Sequence, residues 1–371
     1  MKKSVIALML AAAIILCMFS IGCAEKTVSP VLSVTAKTHV GDLGQLVDSF
    51  TVRLNEEFDF TGIDKDNILI ENNTRHPYIS DFSNGVIDVF CHNDLMKIDV
   101  DPFLFKQKFV VSCVRDGEIL FSFTINDVVS YTTDVADEFE TILTDEALYR
   151  VYKPETDDKL PLIIWFHGAG ERGNDGDAPL TDYRGAICWA EPAYQEKHPC
   201  IVVVPQIPAD STWDKTKLDD VRAVADELVD SGIVDEKRIY AVGFSAYQAT
   251  LWFATYNVDF VAAALHCLYW HAYDPDPKVG DEWSGIGWKE IADAKLPLWS
   301  VISTKDPTGA TEEMEKYHIP YQLENNPNFR YTIWTEQEMY QYKLFGFLLH
   351  HGWVPAVNNQ EMIDWLFAQS K

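Results

Sequence analysis

Two uninterrupted apolar runs, Leu162-Ile163-Ile164-Trp165-Phe166 and Ile201-Val202-Val203-Val204, constrain this chain more than any other feature in it. They are short for helices and show no polar alternation, so each reads as a strand covered on both faces. Strands of that kind belong to mostly parallel sheets with helices packed above and below. The following sequence agrees. Leu218, Val221, Val224 and Leu228 form one stripe of an amphipathic helix, with Asp219, Asp220, Asp226 and Asp230 opposite or flanking it, and Ser231-Gly232 ends it. A further strand, Arg238 to Val242, runs straight into Gly243-Phe244-Ser245, and Met362, Ile363, Leu366 and Phe367 mark a closing helix. Residues 135–371 are therefore expected to form one α/β domain.

Residues 33–134 read differently. Runs such as Ser49–Leu54, Gly85–Phe90, Lys108–Cys113 and Ile119–Ile125 are short and rich in β-branched and aromatic residues, with Asn, Asp and Gly between them. That pattern predicts a small all-β sandwich of immunoglobulin-like type. Asp64-Lys65-Asp66-Asn67 has Ile68 where a calcium loop needs another oxygen, so it reads as a solvated turn.

At the start of the chain, Lys2 and Lys3 precede an apolar stretch from Val5 to Gly22, the pattern of an export signal. Its end, Ser20-Ile21-Gly22-Cys23, resembles a bacterial lipoprotein cleavage site, with Ser20 standing where leucine is usual. The resemblance implies removal of residues 1–22, lipidation of Cys23, a tether over 23–32, and a protein anchored at the cell surface or in the periplasm. A cleaved ordinary signal or an uncleaved anchor would also put the body of the protein outside the cytoplasm. The formal net charge of -27, from 57 acidic and 30 basic side chains, repels nucleic acid and leaves the lipid anchor as the sole membrane contact expected. Beyond the signal and Cys23 stand Cys91, Cys113, Cys188, Cys200 and Cys267. Their odd number leaves at least one unpaired, a Cys91–Cys113 bridge stays open, and the spacings match no zinc site.

The chemistry-bearing residues follow from the α/β pattern. Ser245 sits between a predicted strand and a predicted helix, Ala246 to about Tyr256, which is the setting of a nucleophile elbow. A serine capping that helix is the plainer alternative. The strand ending at Phe166 is followed by His167-Gly168-Ala169-Gly170-Glu171-Arg172-Gly173, whose small residues let backbone N–H groups approach a tetrahedral intermediate. The N–H groups of Ala169 and Ala246 are the expected oxyanion hole. Asp306 follows the apolar run Leu298–Ser303, and His350 follows Leu344–Leu349, giving the order Ser, Asp, His. His351 competes with His350 as the base, and Asp274, Asp276 and Asp281 are the carboxylates in reserve. Trp213, Trp270 and Trp353 are candidates for a substrate cleft, since flat apolar faces suit an aromatic acyl group or a sugar ring. Such chemistry needs only side chains and backbone donors, so no metal and no organic cofactor is expected.

Across residues 138–371 the motifs Leu162–Asp175, Ala190-Glu191-Pro192, His198–Gln206, Arg238–Ser245 and His350-His351-Gly352-Trp353 resemble the secreted esterase branch of the α/β-hydrolases. That group includes polyhydroxybutyrate-depolymerase-like and feruloyl-esterase-like proteins, often labelled predicted peptidases. The resemblance implies an α/β-hydrolase fold behind an immunoglobulin-like domain, and hydrolysis of carboxylic esters, including acyl groups on carbohydrate. Aligning the His-x-x-Trp pattern selects His350 over His351. Two departures stand out: Tyr247 and Gln248 replace expected glycines after the nucleophile, and Ile302-Ser303-Thr304 replaces His-Gly ahead of the acid. The same triad serves peptide cleavage, and the first departure leaves open a non-catalytic surface binding lipoprotein.

Overall fold

A computed structural model describes residues 29–72, 85–245, 249–268 and 288–371. Cys23, Ala246, Tyr247, Gln248, Trp270 and the reserve aspartates 274, 276 and 281 lie outside them.

The front of the chain folds as strands β1 (Val31–Gly41), β2 (Gly44–Leu54), β3 (Ile68–Asn72), β4 (Val86–His92), β5 (Leu95–Leu104), β6 (Phe109–Arg115), β7 (Glu118–Thr124) and β8 (Val128–Thr133). They form a five-stranded sheet, β4-β5-β2-β1-β8, and a three-stranded sheet, β3-β6-β7. One core fills the space between them, built on Phe50, Phe103, Phe109 and Phe123 with Val47, Ile98 and Val111. Phe50 meets Phe109 at 5.3 Å and Phe123 at 5.2 Å between ring centres, so this aromatic cluster supplies much of the apolar burial that holds the two sheets together. Cys91 and Cys113 are both free thiols.

The second domain is built on strands β9 (Glu140–Leu143), β10 (Leu148–Tyr152), β11 (Leu160–Phe166), β12 (Ile201–Gln206), β13 (Val234–Ser245), β14 (Ala263–Leu268), β15 (Leu298–Ser303) and β16 (Phe329–Trp334). Their order across one eight-stranded sheet is β16-β15-β14-β13-β11-β12-β10-β9. Strand β10 runs antiparallel to both neighbours, and the other pairs are parallel. Helices cover both faces, as the apolar runs require. Leu162, Ile164 and Phe166 of β11 point into one core with Val221 and Leu228 of helix α1 (Lys215–Asp230) and Phe253 of helix α2 (Ala249–Tyr256). Ile163 and Trp165 point into the other, with Met362, Ile363 and Leu366 of helix α3 (Gln360–Phe367). Alternate side chains of the same strand thus serve opposite cores, and this is why the sequence shows no polar interruption there.

The front domain docks through the turn between β1 and β2. Val40 and Leu43 pack into the core that contains α3, Arg184 faces Asp42 at 3.6 Å, and Lys106 Nζ donates to Asp182 at 2.8 Å.

Candidate active site

In open α/β sheets the carboxyl ends of the parallel strands are where loops converge and ligands bind. Ser245 is the last residue of β13, and its φ of 57° lies in the left-handed region. For a residue with a side chain that conformation costs roughly 1–2 kcal/mol, which the surrounding packing must hold in place. Gly243 makes the approach feasible: a Cβ there would stand 2.4 Å from the Phe166 carbonyl oxygen and 2.6 Å from Thr250 Oγ1. Absence of that one carbon lets β13, β11 and α2 close up beneath the serine.

His350 closes a short 3-10 turn, Gly346–His350, that is tied back to the sheet. Ser303 Oγ donates to the Leu349 carbonyl at 2.7 Å, and Trp334 Nε1 donates to the Gly352 carbonyl at 3.0 Å. The imidazole, 5% exposed, spans the gap between β13 and β15. Its Nδ1 lies 2.8 Å from Asp306 Oδ2 and its Nε2 lies 3.0 Å from Ser245 Oγ. A carboxylate only accepts, so Nδ1 carries the proton and donates it to Asp306, which leaves Nε2 free to accept from the Ser245 hydroxyl. Asp306 Oδ1 accepts from Thr308 N–H at 2.9 Å and from Thr308 Oγ1–H at 2.6 Å, fixing the carboxylate plane. The structure thus brings Ser245, His350 and Asp306 into one hydrogen-bonded line.

His351 goes elsewhere. It is buried against Tyr183, ring centres 4.8 Å apart, and burial together with the neighbouring His350 pushes it down to about 3. It stays neutral, and among the described residues the imidazole that meets the serine is that of His350.

Ala169 opens a one-turn 3-10 helix, Ala169–Glu171, so its N–H is among those a helix start leaves without an internal acceptor. It lines a cavity of about 320 Å³ together with Ser245, His350, Glu171, Tyr183 and Phe347. Ile207 N–H donates to His167 Nε2 at 3.2 Å, so the His167 proton sits on Nδ1 and is donated to the Gly168 carbonyl at 2.6 Å. Full burial pushes His167 down to about 4 and keeps that tautomer neutral. Glu171 is 2% exposed, and burial, with Asp182 nearby, holds its carboxyl well above the usual carboxylate range. Sequence reasoning passed over Glu171, Thr308, Tyr183 and Phe347. Only Thr308 carried a local signal, since an Asp-x-Thr turn is a known way to cap a carboxylate.

Two cleft candidates are corrected. Trp213 is 3% exposed and packs edge-on against Phe166 at 5.4 Å, inside the core shared with α1. Trp353, 2% exposed, starts a short buried helix and lies behind the cavity wall against Phe244 and Trp165. Both rings are taken up by the core, and neither offers a face to a ligand. The ring that stands at the cavity mouth is Phe347, 58% exposed. Among the described residues no group of three or more His, Cys, Asp and Glu side chains is placed to hold a metal ion.

The strand order, with the second strand alone antiparallel and a serine at positive φ ending the fifth, defines the α/β-hydrolase fold. No family model and no curated protein matches this sequence significantly. Among solved structures, a thermostable esterase superposes with a TM-score of 0.69 at 24% identity, over 92% of this chain and 100% of that one. A puromycin-hydrolysing peptidase of Mycobacterium tuberculosis matches with a TM-score of 0.42 at 13% identity, over 70% of this chain and 44% of that one. Est1E from Butyrivibrio proteoclasticus matches with 0.39 at 15% identity, over 62% and 99%. The likeness to the thermostable esterase shows a shared fold, and a match over 92% of the chain extends beyond residues 135–371 into the front domain.

Proposed function

We propose that this chain is a serine hydrolase that cleaves carboxylic esters through an acyl-enzyme. The observation that carries the reading is the line Ser245 Oγ, His350, Asp306, with spacings of 3.0 and 2.8 Å, on a serine held at a φ of 57°. As Ser245 Oγ attacks the ester carbonyl carbon, its proton passes to His350 Nε2, and Asp306 stabilises the imidazolium. The negative charge on the carbonyl oxygen is received by the Ala169 N–H, with the Ala246 N–H as its proposed partner. Collapse breaks the bond to the alcohol, which takes the proton from Nε2. A water then gives a proton to Nε2 and attacks the acyl-serine, releasing the acid and restoring the hydroxyl.

A cavity of about 320 Å³ suits a compact acyl group, with a bulkier alcohol such as a carbohydrate held outside it. The thermostable esterase that shares the fold supports an ester over a peptide as substrate. The two-sheet front domain is read as immunoglobulin-like, supported by its five- and three-stranded sheets around one core. Gly22-Cys23 behind the apolar stretch supports a lipid anchor on Cys23 and a place outside the cytoplasm.

The test uses the chain from residue 24, a fluorophosphonate probe and short-chain nitrophenyl esters, beside Ser245→Ala. Labelling and turnover that vanish in S245A are expected. Labelling that survives the substitution removes Ser245 from the mechanism. Neither labelling nor turnover in the unsubstituted chain would favour the binding lipoprotein instead.

A further inference from the structure

The loop after β11 is held from several directions. Arg172 Nε donates to the Ala169 carbonyl at 2.8 Å, and its Nη1 donates to the Ser211 carbonyl at 2.8 Å. Gln206 Nε2 donates to the Glu171 carbonyl at 3.0 Å. The peptide that matters most joins Gly168 to Ala169, because its N–H is the one facing the cavity chemistry. In a trans peptide the N–H points opposite to the C=O. The Gly168 carbonyl is occupied by His167 Nδ1–H, and by Glu171 N–H at 3.2 Å, so the Ala169 N–H is aimed the other way. That fixes one side of Gly168. The other side is fixed by the Glu171 side chain, whose Oε2 accepts from Gly168 N–H at 2.7 Å.

We infer that the Glu171 carboxyl is a positioning residue, which sets the orientation of the Ala169 N–H by holding the backbone of Gly168. The inference rests on the esterase reading above and adds a residue to it. Gly168 has no slack to absorb a loss of that bond. A Cβ there would already stand 3.1 Å from Phe244 Cζ and 3.2 Å from Glu171 Oε2, so its backbone lies against the residue that precedes the nucleophile. Burying a carboxyl for one local backbone bond is costly where an apolar side chain would fill the same space. The location of Glu171, on the cavity wall with Ser245 and His350, gives that cost a purpose. Burial keeps the carboxyl neutral, so glutamine, with a neutral oxygen in the same place, is a close stand-in.

The experiment compares Glu171→Ala, Glu171→Met and Glu171→Gln in the chain from residue 24. Steady-state kinetics on a short-chain nitrophenyl ester are measured beside hydrogen exchange of peptides spanning residues 166–174. Losing the acceptor in E171A and E171M is expected to lower kcat about 10–100-fold with KM changed less than about threefold, since a misdirected donor is felt in the transition state. E171Q is expected to recover kcat to within about threefold of the parent. Exchange in 166–174 rises in E171A and E171M and returns to the parent rate in E171Q. E171M fills the volume, so it stands in should E171A fail to fold. Two results overturn the inference: kcat within about twofold of the parent in both E171A and E171M, or a loss in E171Q as large as theirs. If the parent chain turns over no ester, the functional reading falls separately. Exchange then decides alone, and unchanged exchange in E171A and E171M overturns the positioning role.

Discussion

Thr308→Val tests the line of three residues at its least obvious member. The Asp306 side chain is 1% exposed, so water cannot replace a donor it loses. Three donors satisfy it: Thr308 N–H at 2.9 Å, Thr308 Oγ1–H at 2.6 Å and His350 Nδ1–H at 2.8 Å. Valine keeps the shape of threonine and removes the second. A hydrogen bond to a charged group is worth about 1.5–3 kcal/mol, and that is the expected loss of unfolding free energy. The carboxylate then has a freer plane, and its hold on the imidazole weakens at the moment the ring becomes positive. If about half of the bond's worth is expressed in the transition state, kcat falls roughly 3- to 12-fold, because a factor of ten is about 1.4 kcal/mol. Urea unfolding and ester kinetics read the two effects, and Thr308→Ser should restore both. T308V that stays within about 0.5 kcal/mol of the parent in stability, with kcat within about twofold, would refute the reasoning.

Gly243→Ala puts a carbon 2.4 Å from the Phe166 carbonyl oxygen, and overpacking of that kind costs about 1–3 kcal/mol or more. Thermal unfolding should show it, and an unshifted melting temperature would contradict the close approach of β13 to β11. Trp213→Ala should cost about 3–5 kcal/mol in stability with KM unchanged, whereas a KM shift in a stable W213A would return that ring to the cleft. Acid should destabilise the fold between pH 6.5 and 4. Burial pushes His167 down to about 4, and His266, His318 and His351 to about 3, so in that window the unfolded chain binds protons that the folded chain does not. Stability is then fully present above pH 6.5 and is lost as the pH falls, by up to about 1.4 kcal/mol per pH unit for each histidine. His266→Leu should flatten the slope, and a slope unchanged by it would assign the acid sensitivity to other groups.

The parts of this molecule that were legible in sequence share one property: local chain order alone determines them. Strands β11 and β12 announce themselves because both faces of each are apolar. The elbow is visible because a strand must stop at Ser245, and the acid and base are found by looking beyond the next strand ends. The tryptophans were misread because hydrophobicity does not tell a ring in a core from a ring in a cleft. Trp213 and Phe166 lie 5.4 Å apart in space and far apart in sequence, and only packing reveals which surface the indole covers. Glu171 was passed over for the converse reason. A glutamate in a glycine-rich loop reads as solvated, and its burial comes from residues remote in sequence, with Tyr183 and Phe244 on the same cavity wall.

The pairing of β1 with β8 has a mechanical side. The two strands run parallel, from Val34 opposite Val128 to Thr38 opposite Thr133. The chain therefore comes into the front domain at the end remote from the second domain and leaves it beside β9. The 11 residues of β1 cover roughly 35 Å at the usual rise of a strand. The whole length of β1 therefore stands between Val31 and the β1–β2 turn that packs on the second domain, and a grip on the polypeptide ahead of Val31 falls at the far end of that strand.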